Sequence, residues 1–269
     1  MMKLSIVVNA TPNATPLAAD VPLEEAVILA SDIGFNGVEL AIADPRDIDV
    51  AQVTQLLESH ELEVPALGTG AAYKEGLSLA HPDARNRKGA IERLKAHVDL
   101  GAVLEADVIV GLIRGKMSDG LSYAEAVNHI KNGLSLVSAY AKQKNVRILL
   151  EPINRYEIDL FNTIEDAYSI ALQVDDNVGL LIDTFHMNIE ESSLTEPIRK
   201  ARDRIWHVHI ADNIRWAPGF GCLDFRRVIN TLQDIGYEGY LSAEIMHMPD
   251  YETAFRKVFE YTSPIISCR

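Results

Sequence analysis

Four side chains in the second half of the chain, Glu151, Asp183, His209 and Glu244, are of the types that hold a divalent cation. Each stands at the end of a short apolar run: Glu151 ends RILLE, Asp183 ends VGLLID, His209 lies late in WHVHIA and Glu244 late in YLSAEI. Carboxylates brought to one point repel each other, and a cation removes that repulsion. Three carboxylates with one imidazole make an oxygen and nitrogen shell suited to Mn²⁺, Co²⁺, Mg²⁺ or Zn²⁺. A lone strand-end carboxylate is more often a helix cap or a loop acceptor. Four of these groups at matching depth on successive strands are hard to explain that way. His207 is expected to point away from His209, as a structural histidine packed under the helices.

For four strand tips to meet, the strands must run parallel in a sheet that closes. Short apolar or β-branched runs at 3–8, 37–42, 63–68, 106–112, 147–151, 178–183, 206–211 and 240–245 read as strands. Their continuous hydrophobicity is that of parallel strands covered by helices on one side and filled on the other. Between them, segments such as 22–35, 87–105, 123–145 and 224–237 carry helical spacing. Eight strand and helix units with no Gly-rich dinucleotide turn after the first strand predict a single (β/α)₈ TIM barrel over residues 1–269, rather than an open sheet. The C-terminal strand ends then share one mouth. The long, weakly patterned loops 9–21, 69–83 and 212–223 are expected to border the site.

Composition narrows the class of partner. A length of 269 residues suits one such barrel, which needs roughly 250. With 48% hydrophobic and 24% charged residues, the chain has the makings of a large core. A net charge of -14 argues against nucleic acid, whose phosphates demand a basic face. A small molecule, or a second copy of the chain in a homo-oligomer, is the better expectation. Cys222 and Cys268 are the only cysteines, too few for a disulfide framework or a thiolate cage. No apolar run approaches the ~20 residues of a membrane span and no signal-peptide core opens the chain, so a cytoplasmic location is expected.

The segments EPINRYE (151–157), DTFHMNIEE (183–191), HVHIADNIRWAPGFGCLDF (207–225) and SAEI (242–245) resemble the metal-dependent ketose 3-epimerases of the xylose-isomerase-like sugar isomerase/epimerase superfamily. The resemblance spans nearly the whole chain. Stretches 67–83 and 111–126 resemble the subgroup acting on 5-keto-L-gluconate. It implies metal ligation by Glu151, Asp183, His209 and Glu244, with Glu151 and Glu244 also the acid/base pair, and substrate contacts from Glu157, His186 and Arg215. The chain departs from the pattern PGxGHxD by placing Cys222 where the family often has histidine. Cys222 is read as a small packing residue.

Epimerisation beside a ketone removes a weakly acidic proton and stabilises an enediolate. A divalent ion supplies the electrophile, and two carboxylates on opposite faces exchange the proton. Arg215 suits a substrate oxygen, or else a rim salt bridge to Glu157 or Asp212. His186 suits the O2/O3 region of a sugar, or else a hydrogen bond to Asp183 or Glu157. Arg114 and Lys116 could meet the carboxylate of an acidic sugar, although solvated loop cations are commoner. Phe185, Trp216 and Trp206 are wall candidates, Trp206 being the one expected in the core. The competing functions are an aldose–ketose isomerase such as hydroxypyruvate isomerase, an inositol-ketone dehydratase, a DNA-repair nuclease, which would need further histidine ligands and basic loops, and a non-catalytic sugar-binding barrel.

Overall fold

A computed structural model describes residues 1–117 and 120–268, so two residues of the 111–126 stretch lie outside it. Eight parallel strands close in sequence order: β1 (Lys3–Asn9), β2 (Gly37–Ala41), β3 (Ala66–Gly68), β4 (Asp107–Val110), β5 (Ile148–Leu150), β6 (Val178–Asp183), β7 (Ile205–His209) and β8 (Tyr240–Ala243), with β8 pairing back onto β1. The fold is the predicted (β/α)₈ barrel. Every residue of β2 and of β6 is buried, which is why these strands carry no alternation of apolar and polar residues.

The surrounding helices are α1 (Leu23–Ile33), α2 (Val50–Ser59), α3 (Gly70–Lys74), α4 (Ala84–Leu104), α5 (Tyr123–Lys142), α6 (Ile164–Val174), α7 (Thr184–Glu190), α8 (Glu196–Lys200), α9 (Phe225–Asp234) and α10 (Tyr251–Ser267). Their starts follow local chemistry. Ser122 and Glu125 form a reciprocal capping box at α5, and Asp83, Thr163, Asp224 and Asp250 accept backbone N–H groups at α4, α6, α9 and α10. Fully buried Phe225 and Phe255 seat α9 and α10 on the barrel, burial of such a ring contributing roughly 1.5–3 kcal/mol. Among the described residues no helix is long and apolar enough to cross a membrane.

The register sets the mouth of the barrel. Asp183 on β6 pairs with His209 on β7, and His209 pairs with Ser242 on β8, two residues before Glu244. Glu151 and Glu244 each lie one residue beyond their strands, so the strands are slightly shorter than their apolar runs.

The expected orientation of His207 is overturned. Residues two apart on a strand share a face, and both imidazoles point into the barrel, their ring centroids 5.4 Å apart. Val208 is the residue between them and belongs to the outer, helix-covered core. Trp206, one residue before the pair, packs against the interior residues Ala66, Ile109, Leu149 and Leu181. It is half-buried, with the Arg147 guanidinium 5.2 Å from its ring centroid.

Candidate active site

At the C-terminal mouth, one ligand atom from each of Glu151, Asp183, His209 and Glu244 lies within 4.8 Å of all the others. Two donors bound on opposite sides of one ion at ~2.1 Å stand about 4.2 Å apart, so a contraction of a few tenths of an ångström would close the set on a single cation.

Each group is held from behind. Asp183 is an N-cap as well as a site residue: one carboxylate oxygen accepts from the Phe185 N–H at 2.7 Å and starts α7, leaving the other for the mouth. Glu151 is steadied through its carbonyl, which accepts from the Arg114 guanidinium at 2.7 Å. Gly111 opposite must be small, because a Cβ there would come within 2.5 Å of a Glu151 carboxylate oxygen. His209 turns Nε2 to Glu39 at 3.0 Å, which leaves Nδ1 facing Glu244 at 3.6 Å and Glu151 at 3.9 Å.

That Nδ1 atom is buried and makes no hydrogen bond. An unpartnered buried nitrogen facing three carboxylates is the donor set of a divalent metal centre, and these residues fit one. The electrostatics agree. Burial, with the Glu244 charge beside it, pushes Glu151 up to about 8. Burial likewise raises Asp183 to about 6, against the opposing charges of Arg215 and His209. Burial would raise Glu244 too, but the Arg215 guanidinium and His209 hold it down at about 2. Burial works against a charged His209, yet the carboxylates of Glu39 and Glu244 raise its affinity for a proton well above the ordinary. A position that draws a proton this strongly also draws a metal ion.

The three residues expected at the substrate converge on the same place. His186 is buried; its Nδ1 accepts from the Asn154 amide at 2.8 Å, and its Nε2 stands 3.7 Å from both Glu151 and Asp183. Burial and the Arg215 charge keep this imidazole neutral, and Arg215 Nη1 stands 3.5 Å from Nε2. The Asn154 amide also donates to Glu157 at 2.9 Å. The Arg215 guanidinium reaches Glu157 and Asp183, each at 3.4 Å, and donates to Glu244; the face of Phe185 lies 4.6 Å away. Arg215 takes a left-handed backbone, φ 58°, in a loop organised by Asp212, whose carboxylate accepts from the N–H groups of Gly219, Gly221 and Leu223.

Two cations expected near the substrate are elsewhere. Arg114 is completely buried and spends its guanidinium on the carbonyls of Gly111, Glu151 and Leu160, so it is neither a solvated loop cation nor open to a ligand. Lys116 is half-buried and does not line the cavity at the mouth. The lysine that does is Lys74, exposed at the end of α3. Cys222 is exposed rather than packed. Trp216 lies against Phe220 and away from the cavity. The cavity measures about 250 Å³ and takes residues from all three loops expected to border it, including Thr15, Gly70 and Arg215. It is smaller than the roughly 300–1,000 Å³ of sites for drug-sized ligands, as suits a single small sugar. A larger hollow at the opposite end of the barrel, about 410 Å³, holds Arg147 already paired with Asp107 and lacks such a cluster.

Residues 27–264 match the xylose isomerase-like TIM barrel family. The chain belongs to that family. The L-ribulose 3-epimerase of Methylomonas sp. (strain DH-1) is 31% identical over 225 residues, covering 82% of this chain and 77% of the relative. The ketose 3-epimerase of Arthrobacter globiformis is 30% identical over 211 residues, covering 77% and 72%. The crystal structure of N-terminal His-tagged D-allulose 3-epimerase from Methylomonas sp. in complex with D-allulose matches with a TM-score of 0.83 at 26% identity, over 98% of each chain. Such relatives are sugar epimerases, and within the xylose isomerase-like barrels this chain is a carbohydrate epimerase.

Three residues of the site escape a reading of the sequence. Asn154 lies inside EPINRYE, and its pairing with His186 needs the loop to be folded. Glu39 is a carboxylate in the middle of a buried strand, GVELA, and that misplacement of charge is a usable signal. Lys74 carries no signal, since an exposed lysine in a loop is the common case.

Proposed function

We propose that this chain is a divalent-metal-dependent epimerase that inverts C3 of a ketose or keto-sugar acid. The observation that carries the reading is the buried, unpartnered Nδ1 of His209 facing Glu151, Asp183 and Glu244. A divalent ion held by these four residues, Mn²⁺ in our reading with Co²⁺, Mg²⁺ or Zn²⁺ as substitutes, would supply Lewis acidity to the oxygens of a developing enediolate.

The chain's own residues do the rest. Glu151 and Glu244, three strands apart around the mouth, flank the substrate. One takes the C3 proton and the other returns a proton to the opposite face. His186 turns Nε2 to a substrate oxygen, the ring's direction fixed by Asn154. Arg215 and Glu157 bind hydroxyl groups and set the sugar's depth, which aligns its C3–H bond with the bases. Lys74 at the rim adds a cation for a carboxylate, favouring 5-keto-L-gluconate or tagaturonate over tagatose or psicose.

The test is a panel of ketoses and keto-acids incubated with the Mn²⁺-supplemented protein in D₂O and followed by NMR. Deuterium entering C3 with the ketone retained is the expected result. Label at the hydroxymethyl carbon beside the ketone, C1 of a ketose or C3 of hydroxypyruvate, would mean an aldose–ketose isomerase, and loss of water a dehydratase. No exchange in any member would refute the assignment.

A further inference from the structure

Behind His209, on the side away from the mouth, the barrel interior holds a second cluster: Glu39 from β2, and His207 and His209 from β7. One Glu39 oxygen stands 2.8 Å from His207 Nε2 and 3.0 Å from His209 Nε2, and the other oxygen is also 3.0 Å from His209 Nε2. Glu39 is 1% exposed, His207 2% and His209 1%. These are hydrogen-bond distances, and the 2.8 Å contact is shorter than the ~3.0 Å or more that separates neighbouring ligands held ~2.1 Å from one ion. The trio is therefore a closed set of hydrogen bonds and not a second metal centre.

We propose that Glu39 is a positioning residue for the metal centre: it holds His209 with Nε2–H pointing inward, so that Nδ1 faces the ion, while His207 fixes the Glu39 carboxylate from its other side. The inference rests on the metal reading above. A ring free to turn about its outer bond would present either nitrogen to the mouth. With both Glu39 oxygens on Nε2, only one orientation keeps a hydrogen bond. The hydroxyls of Ser5 and Ser242, buried in strands β1 and β8, make no hydrogen bond and do not share the task. The contact spans 170 residues of sequence and joins β2 to β7 through the interior of the barrel, so closure of the barrel itself aims the ligand. Glu39→Gln keeps the shape but offers one acceptor oxygen and an NH₂ group that cannot accept.

The experiment is an electron paramagnetic resonance titration of Mn²⁺ into the metal-stripped full chain, wild type and Glu39→Gln, with circular dichroism as a check of folding. Loss of such a partner typically weakens a metal site by about 10- to 100-fold, and that weakening of Mn²⁺ binding is expected with the fold retained. A folded Glu39→Gln that binds within twofold of wild type overturns the positioning role and leaves the metal reading standing. A wild type that binds no Mn²⁺ overturns both. Independently of any substitution, the Zn²⁺-loaded wild type labelled with ¹⁵N-histidine should show one imidazole bound through Nδ1, with a downfield, slowly exchanging Nε2 proton. Zinc bound through Nε2 would overturn the proposal, and this spectrum decides the matter if Glu39→Gln fails to fold.

Discussion

Replacing Arg114 by methionine separates two roles that a cation on this loop could have. In the structure its guanidinium serves the carbonyls of Gly111 at 3.1 Å, Glu151 at 2.7 Å and Leu160 at 3.0 Å, with no exposure to solvent. Arg114→Met strands the buried carbonyls of Glu151 and Leu160 at roughly 1–3 kcal/mol each, while that of Gly111 keeps the Arg114 backbone N–H. Release of the buried guanidinium offsets part of that, leaving a net destabilisation on the order of 3 kcal/mol. For a chain of this size, where 1 kcal/mol moves the midpoint by about 2–4 °C, Tm should fall by roughly 10 °C. Because one freed carbonyl belongs to Glu151, kcat should also drop about 10-fold or more, equally for acidic and neutral sugars. Differential scanning fluorimetry, with kcat and KM for a keto-acid and a neutral ketose, measures both effects. An unchanged Tm with KM raised for the acid alone would refute this account and return Arg114 to the substrate.

Further outcomes follow from the site. Glu151→Gln and Glu244→Gln should each abolish turnover, and chelation should remove activity that Mn²⁺ restores; wild-type rates in either variant would refute the acid/base pair. Glu151 at about 8 and Asp183 at about 6 lie above ordinary carboxylates, so the metal-free fold binds extra protons and loses stability as pH rises from about 4.5 to 8. Glu244, held at about 2, contributes stability that disappears only as pH falls toward that value. The gain in Tm on adding Mn²⁺ should therefore grow between pH 6 and 8, and a gain that is flat or shrinks in fluorimetry would contradict the electrostatics. Lys74→Met should raise KM for keto-sugar acids several-fold with little change for neutral ketoses, and an equal effect on both would remove the lysine from carboxylate recognition.

How far the sequence reveals this site depends on which physical rule is in play. The four candidate ligands were legible because parallel strands are apolar throughout, so a carboxylate or histidine at the tip stands out against its own run. The eight alternating units made closure the economical topology. Glu39 and His207 needed one more step, the strand period applied to 207 and 209, and an outward assignment of His207 hid the cluster behind the site. Arg114 and Lys74 were not legible. One loop folds its arginine inward onto carbonyls while another ends a short helix at the rim, and nothing local in either sequence dictates which cation reaches the cavity.

The divided carboxylate of Asp183 has an evolutionary consequence. One oxygen starts the turn that presents Phe185 and His186 while the other belongs to the mouth, so chemistry and architecture draw on a single side chain. A lineage cannot discard this side chain and keep the scaffold around it intact. Descendants that abandon catalysis should retain an aspartate or asparagine at 183 long after Glu151 and Glu244 have drifted.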